Sequence, residues 1–233
     1  MVDKKDIFFT VRFLFYRCEA SVGKGSIAVA VYFRVGSMGL IAMNEQRMPV
    51  LSVSDGQSAI VSSLERAWGL PRYARIIHRL RSVDVSANAE YQKDFSRYFR
   101  VRRNSEWKRI YYAKLERLKS VGAEFEPVLN YLYEETGFVE ASFASKLVTV
   151  IDPTKPILDS KVLAYLGLRI GGSSPERRLS AAVQAYHHII EWYEAYLARP
   201  EAAENIKLFD SLLPDYAWVS DTKKIDFLLW SID

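Results

Sequence analysis

Two residues in the stretch 139–162 are of types that can make and break covalent bonds: Lys146 and Asp159, 13 positions apart. A lysine without its proton attacks electrophilic carbon and can hold it as a Schiff base; a carboxylate stabilises a developing cation and moves protons. The spacing predicts that each stands at a helix start. Asp159 follows Pro156-Ile157-Leu158 and precedes Ser160, the pattern of an N-cap for a helix over 160–167. Lys146 follows the small residues Ser142, Ala144 and Ser145 and is expected to open a helix ending near Ile151. There the positive end of the helix dipole would depress the lysine pKa, which a nucleophile needs near pH 7. The same helix start would offer free backbone N–H groups to a phosphate. The simpler reading of Asp159 is a cap alone, worth about 1 kcal/mol.

The elements around this stretch are of two kinds. Residues 7–17 and 26–35 are rich in aromatic and β-branched residues, with Gly23 and Gly25 between them, and read as two strands. Residues 48–53 are expected to form a third. Gly23-Lys24-Gly25-Ser26 lacks the upstream glycine of a phosphate loop and is rejected as one. From Ser54 the apolar period becomes helical, with Ser54 and Gln57 as a capping box, and Gly69 and Pro71 as the end of that helix. Tyr73, Ile76, Ile77 and Leu80 mark the next helix, and residues 89–102 carry Tyr91, Phe95 and Tyr98 on one face. Ser105 is expected to cap a helix with Trp107, Ile110, Tyr111, Leu115 and Leu118 inward, ended by Gly122. A helix with Phe125, Val128, Leu129 and Leu132 stops at Gly137. Ser174-Pro175-Glu176 opens a long helix with Leu179, Val183, Tyr186, Ile190, Tyr193 and Leu197 inward, closed by Pro200. Two further helices are expected over 203–213 and 221–232, the second capped by Asp221.

Composition narrows the function classes. The chain has 233 residues, 49% of them hydrophobic, which suits one domain with a small appendage. One cysteine, Cys18, excludes an intramolecular disulfide framework and a four-cysteine iron–sulfur cluster, and suits a reducing cytoplasm. Three histidines beside it leave no structural zinc site to expect, and His187-His188 read as one solvent-facing and one core-flanking residue. No uncharged apolar run reaches membrane-spanning length. The apolar run from Ile7 to Tyr16 has the look of a signal peptide, but Arg12 interrupts it. The net charge of +4 is unevenly placed: residues 66–119 hold 15 Lys/Arg against 5 Asp/Glu, and residues 201–233 hold 3 against 7. Such a basic middle fits a polyanion-binding face as well as a set of solvated helix faces. Arg97, Arg100, Arg102 and Arg103 are its densest cluster and the candidate phosphate contacts. The Trp107/Tyr111 stripe reads as core rather than as a base-stacking platform.

Ser142-Phe143-Ala144-Ser145-Lys146, a helix, then Pro156-Ile157-Leu158-Asp159 and a second helix resemble the core signature of the helix-hairpin-helix DNA glycosylases, most closely the 8-oxoguanine glycosylase branch. The resemblance implies a mainly α fold, a helical body over 54–233 containing the hairpin, with a short β-rich segment over 1–53 (α+β overall). It implies a base-excision activity on duplex DNA without cofactor or metal, in a monomer. Lys146 would be the amine that attacks C1′ and Asp159 the carboxylate. Ser142, Phe143, Ala144 and Ser145 would form the hairpin turn on the DNA backbone, with Lys161 beside the site. This chain differs from the signature in three places: Ser142 and Ala144 replace hairpin glycines, the Lys–Asp spacing is shorter, and Lys161 stands where a histidine is usual. A non-catalytic binding module on the same scaffold, or a helical defence-associated interaction protein, would also satisfy the pattern.

Overall fold

The computed structural model describes residues 48–65 and 69–232. The two strands expected over 7–17 and 26–35 lie outside them. Among the described residues the chain is helical throughout: α1 (Val53–Glu65), α2 (Gly69–Leu80), α3 (Ala89–Tyr98), α4 (Ser105–Val121), α5 (Phe125–Thr136), α6 (Ala141–Ile151), α7 (Ser160–Tyr165), α8 (Pro175–Leu197), α9 (Pro200–Leu212) and α10 (Asp221–Ser231), with a 3-10 turn at Pro214–Tyr216.

The third strand expected over 48–53 is not formed. Its carbonyls are taken by side chains instead of a neighbouring strand. The Trp192 indole N–H donates to Pro49 O and the Tyr196 hydroxyl to Leu51 O, both from α8. Pro49 has no N–H to give a ladder. The helix that follows is capped two residues earlier than expected: Ser52 Oγ, not Ser54, accepts from Asp55 N at 3.1 Å. Gly69 and Pro71 begin α2 rather than end α1. Asn104 caps α4, accepting from Trp107 N, and Ser220 caps α10, one position before the expected Ser105 and Asp221. At α4 and α10 two adjacent residues can both accept the capping hydrogen bond, and only backbone geometry decides which one does.

Helix ends set by glycine follow the sequence. Gly137 ends α5 in the left-handed conformation, and Gly122 ends α4 at positive φ. The long helix α8 starts at Ser174-Pro175 as expected, but its inward face is rotated by about one residue. Ala182, Ala185, Tyr186, Ile189, Trp192, Tyr193 and Tyr196 are buried, whereas Leu179, Val183, Ile190 and Leu197 are half-buried at the edge. Pro200 does not close α8; it is the first residue of α9.

Helix α6 is the centre of the body. Residues 144–150 are all buried, on every side of the helix, and α4 and α5 pack against it. Helix α10 lies across α1, α7 and α9 and also meets α8. The aromatic stripe is core: Trp107 stacks on Tyr111 with ring centroids 4.8 Å apart, and Phe143 of α6 closes on Trp107 edge-on at 4.9 Å. None of the described helices is long and apolar enough to cross a membrane.

Candidate active site

The residues 142–145 are not a turn. Ser142, Phe143, Ala144 and Ser145 occupy the first half of α6, and the hairpin between α5 and α6 is residues 137–140, with Phe138 exposed at its tip. Gly137 supplies the left-handed φ there, which is why the chain needs no glycine at Ser142 or Ala144. Ala144 and Ser145 are fully buried, so they face the interior and not a DNA backbone. Lys146 consequently sits a turn and a half inside α6, and the helix dipole does not act on it as the sequence suggested, since that effect fades beyond the first turn.

What brings Lys146 and Asp159 together is a clamp one residue before each. After α6 the chain turns at Asp152, whose carboxylate accepts from Thr154 N and Thr154 Oγ1. It then runs back along the helix. The Ser145 hydroxyl accepts from Leu158 N at 2.9 Å and lies 3.2 Å from Leu158 O. This fixes the register, and the next residues on each side, Lys146 and Asp159, line one pocket. The 13-residue spacing is therefore the length of this return.

Asp159 caps α7 as its sequence context predicts. Its Oδ1 accepts from Lys161 N and Val162 N, each at 3.0 Å, and its Oδ2 accepts from the Trp230 indole N–H. Lys146 Nζ lies 3.4 Å from Phe99 O and 5.0 Å from the centre of the Phe143 ring. Burial pushes its pKa down, against the pull of Asp159 and with the help of Lys223 and Arg100. The depression of the Lys146 pKa thus comes chiefly from desolvation and not from the helix end.

The pocket measures about 90 Å³ and is walled by Tyr98, Phe99, Ile157 and the face of α10 that carries Lys223, Asp226, Phe227 and Trp230. It is contiguous with an outer groove of about 330 Å³, with which it shares Gly69, Tyr98, Phe227, Trp230 and Ser231. Arg72, Arg97, Arg100 and Lys161 line the groove, and no carboxylate does. Of the predicted arginine cluster, then, Arg97 and Arg100 reach the site. Arg103 does not: it binds the buried Glu140 carboxylate through two bonds of 2.9 Å. Arg102 is exposed and lines neither cavity. Arg100 has φ +54°, the left-handed position that glycine usually fills when a helix ends this way, with Val101 N bonded back to Ser96 O. Its guanidinium lies 4.9 Å from the Trp230 ring centre. A strained non-glycine residue at the mouth of a pocket is a common mark of function.

Lys223 and Asp226 were missed by the sequence reading. They lie on α10 at Lys223, Asp226, Phe227, Trp230, spacings of three, four and seven that put them on one helix face. Both are buried, with Lys223 Nζ 3.5 Å from Asp226 Oδ2 and the Tyr193 hydroxyl donating to Asp226 Oδ1. Burial pushes the Asp226 carboxyl up to about 6 in spite of Lys223. Burial also works against the Lys223 ammonium, but Tyr98, Asp226, Tyr73 and Asp159 around it hold its pKa above the ordinary value. Charges near a helix start are ordinarily solvated, and Asp221 and Lys224 beside them made Lys223 and Asp226 look like part of such a face.

A further groove of about 580 Å³ lies elsewhere, lined by Phe125, Tyr186, Lys155 and His187 among others, and contains none of the candidate residues. Both His187 and His188 are exposed, so neither flanks the core. Among the described residues no cluster of His, Cys, Asp and Glu has the geometry to hold a metal ion. No protein-family model matches this chain, and no significant likeness to a curated protein or to a solved structure is found.

Proposed function

We propose that this protein excises a damaged or modified base from DNA, as an N-glycosylase that uses Lys146 as its nucleophile and can go on to nick the strand. One observation carries this reading. A buried lysine of depressed pKa and a helix-capping aspartate share a small pocket, and that pocket adjoins a groove whose charged lining residues are all cations. Arg97, Arg100 and Lys161 suit contacts to the phosphates of a duplex, which position without reading sequence. Trp230 and Tyr98 give the mouth aromatic walls for a nucleotide rotated out of the stack.

In this scheme the Lys146 amine attacks C1′ as the bond from C1′ to the base breaks, and one proton of the amine leaves with the base. The Asp159 carboxylate stabilises the positive charge that develops on the sugar. The remaining N–H proton moves to O4′ as the ring opens, giving an imine between Lys146 and C1′. Loss of a C2′ proton then expels the 3′ phosphate and breaks the strand.

The test is borohydride trapping against duplex oligonucleotides with oxidised, deaminated or abasic sites. Hydride reduces the imine to a stable secondary amine, so a covalent band is expected for one lesion class and must vanish in Lys146→Gln. A band that persists in Lys146→Gln would refute the assignment. Retention of duplex that falls steeply with salt, with neither band nor released base, would instead make the protein a non-catalytic binding module.

A further inference from the structure

We propose that Lys223 is a positioning residue for the Lys146 amine: tied to Asp226, it shares the inner pocket with Lys146 and keeps that amine free of its proton. This rests on the reading of Lys146 as the nucleophile. Two ammonium groups in one small buried cavity disfavour each other, so one lysine must shed its proton more readily than the other. Their partners decide which. Lys223 has a carboxylate, Asp226 Oδ2 at 3.5 Å, and the ring faces of Tyr73 and Tyr98 at 5.2 and 5.8 Å. Lys146 has a carbonyl and one ring, and among the described residues it forms no ion pair.

The two aspartates are aimed accordingly. Asp159, the carboxylate nearest in role to Lys146, has Oδ1 bound by two backbone N–H groups and Oδ2 by the Trp230 indole. Asp226 has Oδ1 bound by the Tyr193 hydroxyl, leaving Oδ2 for Lys223. The other charged or titratable groups acting on Lys146 are Arg100, beyond the end of α3, and Glu140, at the start of α6, whose carboxylate Arg103 neutralises. Tyr98, on α3, lines the same pocket. Pairing two amines with unequal partners is a recognised way to prepare a lysine nucleophile. Lys223 touches no reacting atom in this scheme. It acts on Lys146.

The experiment is a pH titration of the Lys146 amine by NMR in lysine-labelled protein, without DNA. In the wild type the Lys146 midpoint is expected below that of an exposed lysine. In Lys223→Met it should rise by about one pH unit or more, about a tenfold loss of free amine at neutral pH. Lys223→Arg keeps the charge and should leave the midpoint where it was. If Lys223→Met fails to fold, the double variant Lys223→Met/Asp226→Asn removes both members of the pair and should raise the midpoint as well. A wild-type Lys146 that titrates like an exposed lysine, or a midpoint that stays put without Lys223, overturns the proposal. The acid limb of single-turnover trapping should move with the NMR midpoint. Trapping with an unmoved midpoint would leave the glycosylase reading standing and remove this one. A moved midpoint with no trapping on any lesion would do the reverse.

Discussion

Substituting Asp159 separates its structural work from its chemical work, because the two use different properties of one side chain. Capping needs an oxygen that accepts from Lys161 N and Val162 N at 3.0 Å; stabilising a cation at C1′ needs the negative charge. Asp159→Asn keeps one acceptor oxygen and loses the charge. That oxygen can cap α7 or accept from the Trp230 indole, not both, so one hydrogen bond to a charged acceptor is lost, about 1.5 to 3 kcal/mol. Asp159→Ala loses the cap, about 1 kcal/mol. It also leaves the indole N–H unsatisfied at a site only 5% exposed, which adds about 1 to 3 kcal/mol. At about 2 to 4 °C per kcal/mol for a body of this size, Asn should lower the melting temperature by about 5 °C and Ala by about 10 °C. Excision should behave differently. Both variants should lose on the order of 10² in single-turnover base release, the scale for removing one electrostatic stabiliser. The assay is calorimetry alongside base release on the lesion that traps. If Asn excises at the wild-type rate, or loses rate only at temperatures where it is unfolding, Asp159 is a cap and nothing more.

Three further outcomes follow from the packing. Arg103→Ala should cost about 1 to 3 kcal/mol, since it strands the Glu140 carboxylate at 6% exposure while solvent still reaches the arginine side; Arg102→Ala should change melting by less than about 0.5 kcal/mol, and equal effects in chemical denaturation would refute the assignment of Arg103 to Glu140. Gly56→Ala, which in most helices gains about 1 kcal/mol, should lose about 1 to 3 kcal/mol here because its Cβ would stand 2.0 Å from Asn205 Oδ1; the loss should shrink in an Asn205→Ala background, as a double-mutant cycle would read. Asp226, with its folded pKa raised to about 6, contributes stability below its unfolded value near 4 that is lost as pH rises to about 6, on the order of 3 kcal/mol. Denaturation at a series of pH values should therefore show a falling term over pH 4 to 6 that is missing in Asp226→Asn.

Local chemistry decided what could be read from the residues alone. The helical period over 54–232, the glycine ends at Gly122 and Gly137, the Ser174-Pro175 start of α8 and the cap at Asp159 depend on neighbours a few positions away, and the sequence carried them. Lys146 and Asp159 were paired by the family resemblance, not by neighbours of this kind. Their meeting did not depend on such neighbours. The Ser145–Leu158 clamp is a contact between segments that the sequence shows only as a spacing, and the tertiary structure turned an expected hairpin into the interior of α6. The cause of the depressed lysine pKa changed with it, from a helix dipole to burial, because burial is a property of packing and not of the chain. Lys223 and Asp226 were legible only once α10 had been laid across the pocket. A charge on a helix belongs to solvent or to the core according to what packs against that face, and no local pattern records it.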